Sequence, residues 1–192
     1  MFEAILAALV TSGIRFVVIG GVAATVQGSA RFTNDIDLCY DVAPDNVERL
    51  VRLLTEWHAY LRGVEPGLPF ILDARTFRTT PMMTLTTTMG AIDLLDHVPG
   101  VGAYTDAVEV SDEVRVGSTV FRALTLEALI ASRKAVRRKK DIEHLIELEA
   151  ILELRKQRHI APSQHPFRAD GSWCCGTTAY HCDHPAWPGA RA

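Results

Sequence analysis

No stretch of the 192-residue chain reaches the roughly 18 uninterrupted apolar residues that a membrane-spanning helix requires. The N-terminal MFEAILAALVTSG has no basic segment ahead of its apolar residues and carries Glu3, so no secretory signal is expected. Cysteine is scarce in the body of the chain. Of four cysteines, Cys174, Cys175 and Cys182 fall in the last twenty residues, which leaves no disulfide framework and points to a reduced, cytoplasmic protein. Positive charge is not in excess either: the net charge is -3, so any nucleic-acid partner would rely on a local patch, and 133–140 is the one candidate. Internal repeats are absent. What remains is a globular composition, 48% hydrophobic and 22% charged, which excludes a disordered chain. Its length allows one domain with a full core, or one domain with appendages.

The segment from Phe16 to Tyr40, FVVIGGVAATVQGSARFTNDIDLCY, is the most informative. A hydrophobic strand runs into Gly20-Gly21, a short helix and a polar loop follow, and a second strand opens on Asp35-Ile36-Asp37. Strand alternation places Asp35 and Asp37 on one face and Ile36 on the other. Two carboxylates held together repel unless a cation lies between them. The pair therefore reads as half of a metal site beside a glycine turn, the arrangement of phosphoryl or nucleotidyl transfer.

Around this segment the periodicities predict an N-terminal helix over 2–11, capped by Gly13, and a strand over 15–19. A helix over 22–27 ends at Gly28, and one starting at Pro44 runs to about Tyr60. A Gly/Pro loop spans 62–69. Strands are expected at 84–88, 91–96, 107–110, 114–116 and 119–122. Two helices close the pattern, one capped by Thr125 and one over about 139–156. The chain divides into a core at 1–123, C-terminal helices at 124–158 packed on it, and a tail at 159–192. The tail is rich in Pro, Gly, His, Cys and Trp without either period, and reads as a disordered or non-native extension. Its Cys and His residues lack the spacing of the usual zinc pairs.

Magnesium takes oxygen ligands, usually a few carboxylates with substrate phosphates and water, and two-ion chemistry wants a third acidic group on a neighbouring strand. Ala91-Ile92-Asp93-Leu94-Leu95 supplies one. Alone, an aspartate in an apolar strand marks an edge or a strand end. Beside Asp35 and Asp37, the metal reading prevails, with Mg2+ or Mn2+ as the ion. Asp41 and Asp96 lie near strand ends and read as solvated turn carboxylates.

In this order, strand, Gly-Gly, helix, D-h-D and a later h-D-h strand, the chain resembles the nucleotidyltransferase superfamily typified by DNA polymerase beta. Within it, GGVAATVQGSARFTNDIDL, the G-x-h-D-h-h strand from Gly90 to Leu95, and LTLEALIASRKAVRRKKDIEHLIELEAI resemble the branch of AbiEii-type toxins and related small nucleotidyltransferases. The likeness covers roughly residues 1–155. It implies an α+β fold, a mixed β-sheet flanked by helices with further C-terminal helices. It implies that Gly20 and Gly21 hold nucleotide phosphates and that Asp35, Asp37 and Asp93 are the catalytic metal ligands. Helix N-termini suit anions independently of any family.

Arg31 and Thr33, in the loop between the glycines and the aspartates, would border the phosphates, with Arg31 balancing triphosphate charge; a surface arginine is the plainer alternative. Where the branch tends to read Lys-Arg, this chain reads Arg133-Lys134, and the two cations are not interchangeable at phosphate. The stretch from Arg133 to Lys140 is either a solvated helix face or a surface for phosphate or acceptor. Tyr104 is either a base-stacking or a packing side chain. The expected activity moves a nucleoside monophosphate from an NTP to the hydroxyl of a tRNA, a protein or a small molecule. Toxin-type relatives would work with a separate antitoxin chain. The rival readings are a catalytically silent nucleotide- or partner-binding module, and an enzyme acting on small molecules such as antibiotics.

Overall fold

The computed structural model describes residues 2–65, 70–136 and 142–158. The expected tail at 159–192 and the basic residues 137–140 lie outside them. The elements follow in the order α1 (Phe2–Thr11), β1 (Phe16–Ile19), α2 (Gly20–Val26), β2 (Asp35–Tyr40), α3 (Pro44–Glu56), β3 (Tyr60–Leu61), α4 (Ala74–Thr79) and β4 (Met82–Thr87). Then come β5 (Gly90–Leu95), β6 (His97–Val98), β7 (Gly102–Ala103), α5 (Tyr104–Glu109), β8 (Ser111–Val116), β9 (Thr119–Leu124), α6 (Leu126–Val136) and α7 (Ile142–Arg158).

Seven strands form one mixed sheet in the order β3-β4-β5-β2-β1-β9-β8, and β6 pairs with β7 separately. The sheet is parallel where β1 meets β9 and where β2 meets β5, and antiparallel elsewhere. Its apolar rows explain its stability. Ile36 and Leu38 of β2 lie in register with Ile92 and Leu94 of β5, and all four are essentially buried. Burying such side chains contributes about 1.5–3 kcal/mol each. Leu126, Leu129 and Ile130 of α6 and Leu148 of α7 join the same buried cluster. No helix among the described residues is long and apolar enough to cross a membrane.

Two local expectations are corrected. Residues 107–109 of the segment 107–110, whose alternation suggests a strand, belong to α5, and Val110 follows as its C-cap. Asp106 accepts the Ala103 N–H at 2.8 Å and so caps a helical turn that propensity alone does not reveal. The helix begun at Pro44 stops at Glu56 rather than Tyr60. His58 takes a left-handed φ of 50°, the Ala59 N–H returns to the Leu54 carbonyl, and the chain leaves as β3. Thr125 does cap α6, accepting the Ala128 N–H at 3.3 Å. The short helix α4 adds to the expected elements; Asp73 caps it through the Thr76 N–H at 2.8 Å.

Candidate active site

Register brings the three predicted carboxylates together. In the parallel pairing of β2 with β5, Asp37 stands directly opposite Asp93, and Asp35 lies two residues earlier on the same strand face. Asp93 is only 7% exposed. The opposite face of this patch is the apolar row of Ile36, Leu38, Ile92 and Leu94, which anchors the strands and fixes the acidic face above them.

The glycine turn is shaped around Asp37. Gly20 has φ +60°, and a Cβ there would lie 1.9 Å from the Asp37 Oδ2. A Cβ on Gly21 would fall 2.6 Å from the Thr33 hydroxyl. The first position therefore excludes side chains twice, by backbone conformation and by contact. The Gly21 N–H donates to Asp37 Oδ2 at 3.3 Å, so here this amide serves the carboxylate. Thr33 donates through its hydroxyl to Asp35 Oδ1 at 2.8 Å.

A cation that the sequence does not single out sits at the centre. Arg62, just beyond β3, donates from Nη1 to Asp35 Oδ2 at 3.0 Å and from Nη2 to Asp93 Oδ1. Its backbone N–H is fixed to the Thr84 carbonyl at 2.9 Å, on the strand beside β5. Arg62 lies in what reads as a featureless loop in the sequence. Only the pairing of β3 with β4 carries it to the carboxylates. The signal that could have found it is the acidic patch itself, which needs a counter-cation.

The three carboxylates feel different environments. Burial works against charge on Asp35, but the Thr33 hydroxyl and Arg62 outweigh it and hold its pKa below the usual value. Burial raises the pKa of Asp37, and the charge of Asp35 adds to it, against the Gly21 N–H, Arg133 and Arg62. Burial also pushes Asp93 up to about 6, with Asp37 and Asp35 adding and Arg62 opposing. The patch is thus under-neutralised. Its all-oxygen donor set suits a hard divalent cation. As the side chains stand, no cluster of three or more His, Cys, Asp or Glu side chains among the described residues is arranged around an ion position; Arg62 bridges two of the three carboxylates instead.

The remaining predicted residues divide. Arg133 lies within electrostatic reach of Asp37 and lowers its pKa. Lys134 pairs with Glu149 of α7 at 2.7 Å. Arg31 is held by Glu143 and Glu147 of α7, each at 3.1 Å. Glu147 also takes the Ser29 hydroxyl at 2.8 Å and the Ala30 N–H at 3.0 Å. Arg155 grips the side-chain and backbone oxygens of the buried Gln27 at 2.8 and 2.6 Å. Helix α7 therefore clamps the loop that leads from the glycine turn to the aspartates. Tyr104 opens α5 and packs partly buried against the core.

No protein-family model matches the chain, and no curated protein matches it. Solved structures are similar to it. The lincosamide antibiotic adenylyltransferase LnuA, bound to lincomycin, aligns at 14% identity and a TM-score of 0.53, over 78% of this chain and 95% of that one. ANT(2")-Ia in complex with adenylyl-2"-tobramycin aligns at 14% identity and a TM-score of 0.48, over 83% and 97%. The latter likeness is too loose to carry weight. At such identity the former speaks for architecture: the fold is α+β and nucleotidyltransferase-like, built on a mixed seven-stranded sheet.

Proposed function

We propose that the chain is a divalent-metal-dependent nucleotidyltransferase that moves a nucleoside monophosphate from an NTP to an acceptor hydroxyl. The observation that carries this reading is the register of Asp37 with Asp93, with Asp35 on the same face and Gly20 making room for Asp37. The hydroxyl oxygen forms a bond to the α-phosphorus as the bond to the bridging oxygen breaks, and pyrophosphate leaves. Mg2+ or Mn2+ held by Asp35, Asp37 and Asp93 would supply charge neutralisation at the phosphoryl oxygens. The chain's own part is to hold the carboxylates at fixed spacing and to exclude water from Asp93. The hydroxyl proton leaves as the new bond forms, and a carboxylate on the attacking side, Asp93, is the group placed to accept it. Gly20, Gly21 and Thr33 shape the donor side, and Arg133 adds positive charge near Asp37.

On the acceptor, the resemblance to the AbiEii-type branch supports a tRNA or protein hydroxyl, with an antitoxin chain as the corresponding partner. The likeness in fold to an antibiotic adenylyltransferase supports a second reading, a small-molecule hydroxyl. The test incubates the protein with each α-labelled NTP, Mg2+ or Mn2+, and in turn total tRNA, cell protein and a panel of hydroxylated small molecules including a lincosamide. The expected result is label on one acceptor class, lost in Asp35→Ala/Asp37→Ala. Label that persists in the double variant sinks the site; no label on any acceptor favours a silent binding module.

A further inference from the structure

Arg62 has a place in the site that the transfer chemistry above does not use. Its guanidinium spans Asp35 and Asp93, two of the three groups assigned to the metal. Its Nε is buried without a hydrogen-bond partner among the described residues, so the side chain is not fully satisfied where it lies. The side chain is one-third exposed, which leaves an outward route open to it. Its backbone is fixed to β4, so a swing of the side chain moves no strand.

We infer that Arg62 is a resident counter-cation that competes with the divalent ion for Asp35 and Asp93. The inference rests on the metal reading of the site proposed above. A carboxylate oxygen engaged by a guanidinium N–H is not open to an ion at the same lone pair, and two positive centres between the same carboxylates repel. The arginine therefore neutralises the patch while the ion is away and must turn out of it for the ion to enter. It sets the ion concentration at which the site fills, without being a ligand itself.

The test measures Mn2+ binding by the full chain, without nucleotide, by calorimetry and by the loss of free-ion spin resonance. The variants are Arg62→Gln, Arg62→Lys, and Asp37→Ala as the site control. Losing the competitor should tighten Mn2+ binding by about tenfold in Arg62→Gln, with Arg62→Lys between that and the parent, because a point charge lacks the two-pronged fork. In the melting curve without metal, Arg62→Gln should fall below the parent, and saturating Mn2+ should close the gap. Equal or weaker Mn2+ binding in Arg62→Gln, with binding still lost in Asp37→Ala, overturns the role of Arg62 and leaves the metal site standing. Binding by neither the parent nor Arg62→Gln overturns both. A variant that melts below the assay temperature is replaced by Arg62→Met, which keeps the apolar stem.

Discussion

Strand β2 carries an acid–arginine cluster at each end, and the two could hardly be balanced more differently. At its far end, Asp41 and Asp45 meet Arg15 at 2.6 and 2.8 Å, and Arg49 joins Asp45 at 2.6 Å. Two cations there face two carboxylates in a largely open setting. The hydrogen bonds from Arg15 and Arg49 hold the Asp45 carboxyl far below its usual pKa, and Arg15 is raised in turn. At the near end, the bridging guanidinium of Arg62 faces Asp35 and Asp93, with Asp37 alongside, and two of these three carboxyls are raised by burial. A structural ion-pair network lowers the free energy of its charges. At the glycine turn, burial of Asp37 and Asp93 outweighs the neighbouring cations Arg62 and Arg133, as expected where a ligand supplies the balance.

The contrast is open to direct attack. The largest effect is expected from Asp35→Ala or Asp37→Ala, which should cut nucleotidyl transfer by about 10³-fold or more while leaving the fold intact by circular dichroism. Arg15→Ala at the other end should leave transfer unchanged, and a comparable loss there would erase the distinction. Next comes Gly20→Ala. Its left-handed φ and the 1.9 Å approach to Asp37 should cost about 2 kcal/mol or more and reduce transfer together with stability. Unaltered melting would mean that the turn relaxes freely.

The two ends should also answer pH with opposite signs. Asp93 binds its proton more tightly folded than unfolded, with a pKa of about 6 against 3.8. Between those values the folded chain retains a proton that the unfolded chain has released, so stability falls as pH rises. Asp93→Asn should therefore raise the stability of the metal-free protein at pH 7.5, on the order of 1–2 kcal/mol once solvent screening is allowed for, with the gain vanishing below about pH 4. The raised value already contains the attraction to Arg62. For Asp45 the folded pKa is depressed, so its contribution is present at neutral pH and is lost as pH falls. Asp45→Asn should slightly lower the melting temperature at pH 7, and salt should shrink the difference. Melting curves in EDTA across pH 3.5–8 check both; a shift of the same sign at the two ends would refute the distinction.

The carboxylates are legible in the sequence because a strand has a period of two and an apolar partner row. Alternation places Asp35 and Asp37 on one face, the need of a two-ion site for a third carboxylate singles out Asp93, and the register of β2 with β5 sets two of the three opposite each other. The glycines are legible as a break, though not that Gly20 makes room for Asp37 rather than for phosphate alone. Arg62 is illegible. Its position depends on a two-residue strand that local propensity cannot distinguish from the end of α3. The pairing of Arg31 with Glu143 and Glu147 is hidden for another reason, since more than 110 residues separate the partners and no local period connects them. Helix α5 reads as a strand because its cap is a side-chain contact, Asp106 to the Ala103 N–H, that alternation does not encode.

The grip of Arg155 on Gln27 joins residues 128 positions apart. On a growing chain, β1, β2 and β5 can assemble the acidic face long before α7 exists. The approach from the glycine turn to Asp35 gains its clamp only when the last described helix has been made. A chain cut short before Glu143 would lack every contact of this clamp, and one cut between Glu147 and Arg155 would lack only the grip on Gln27.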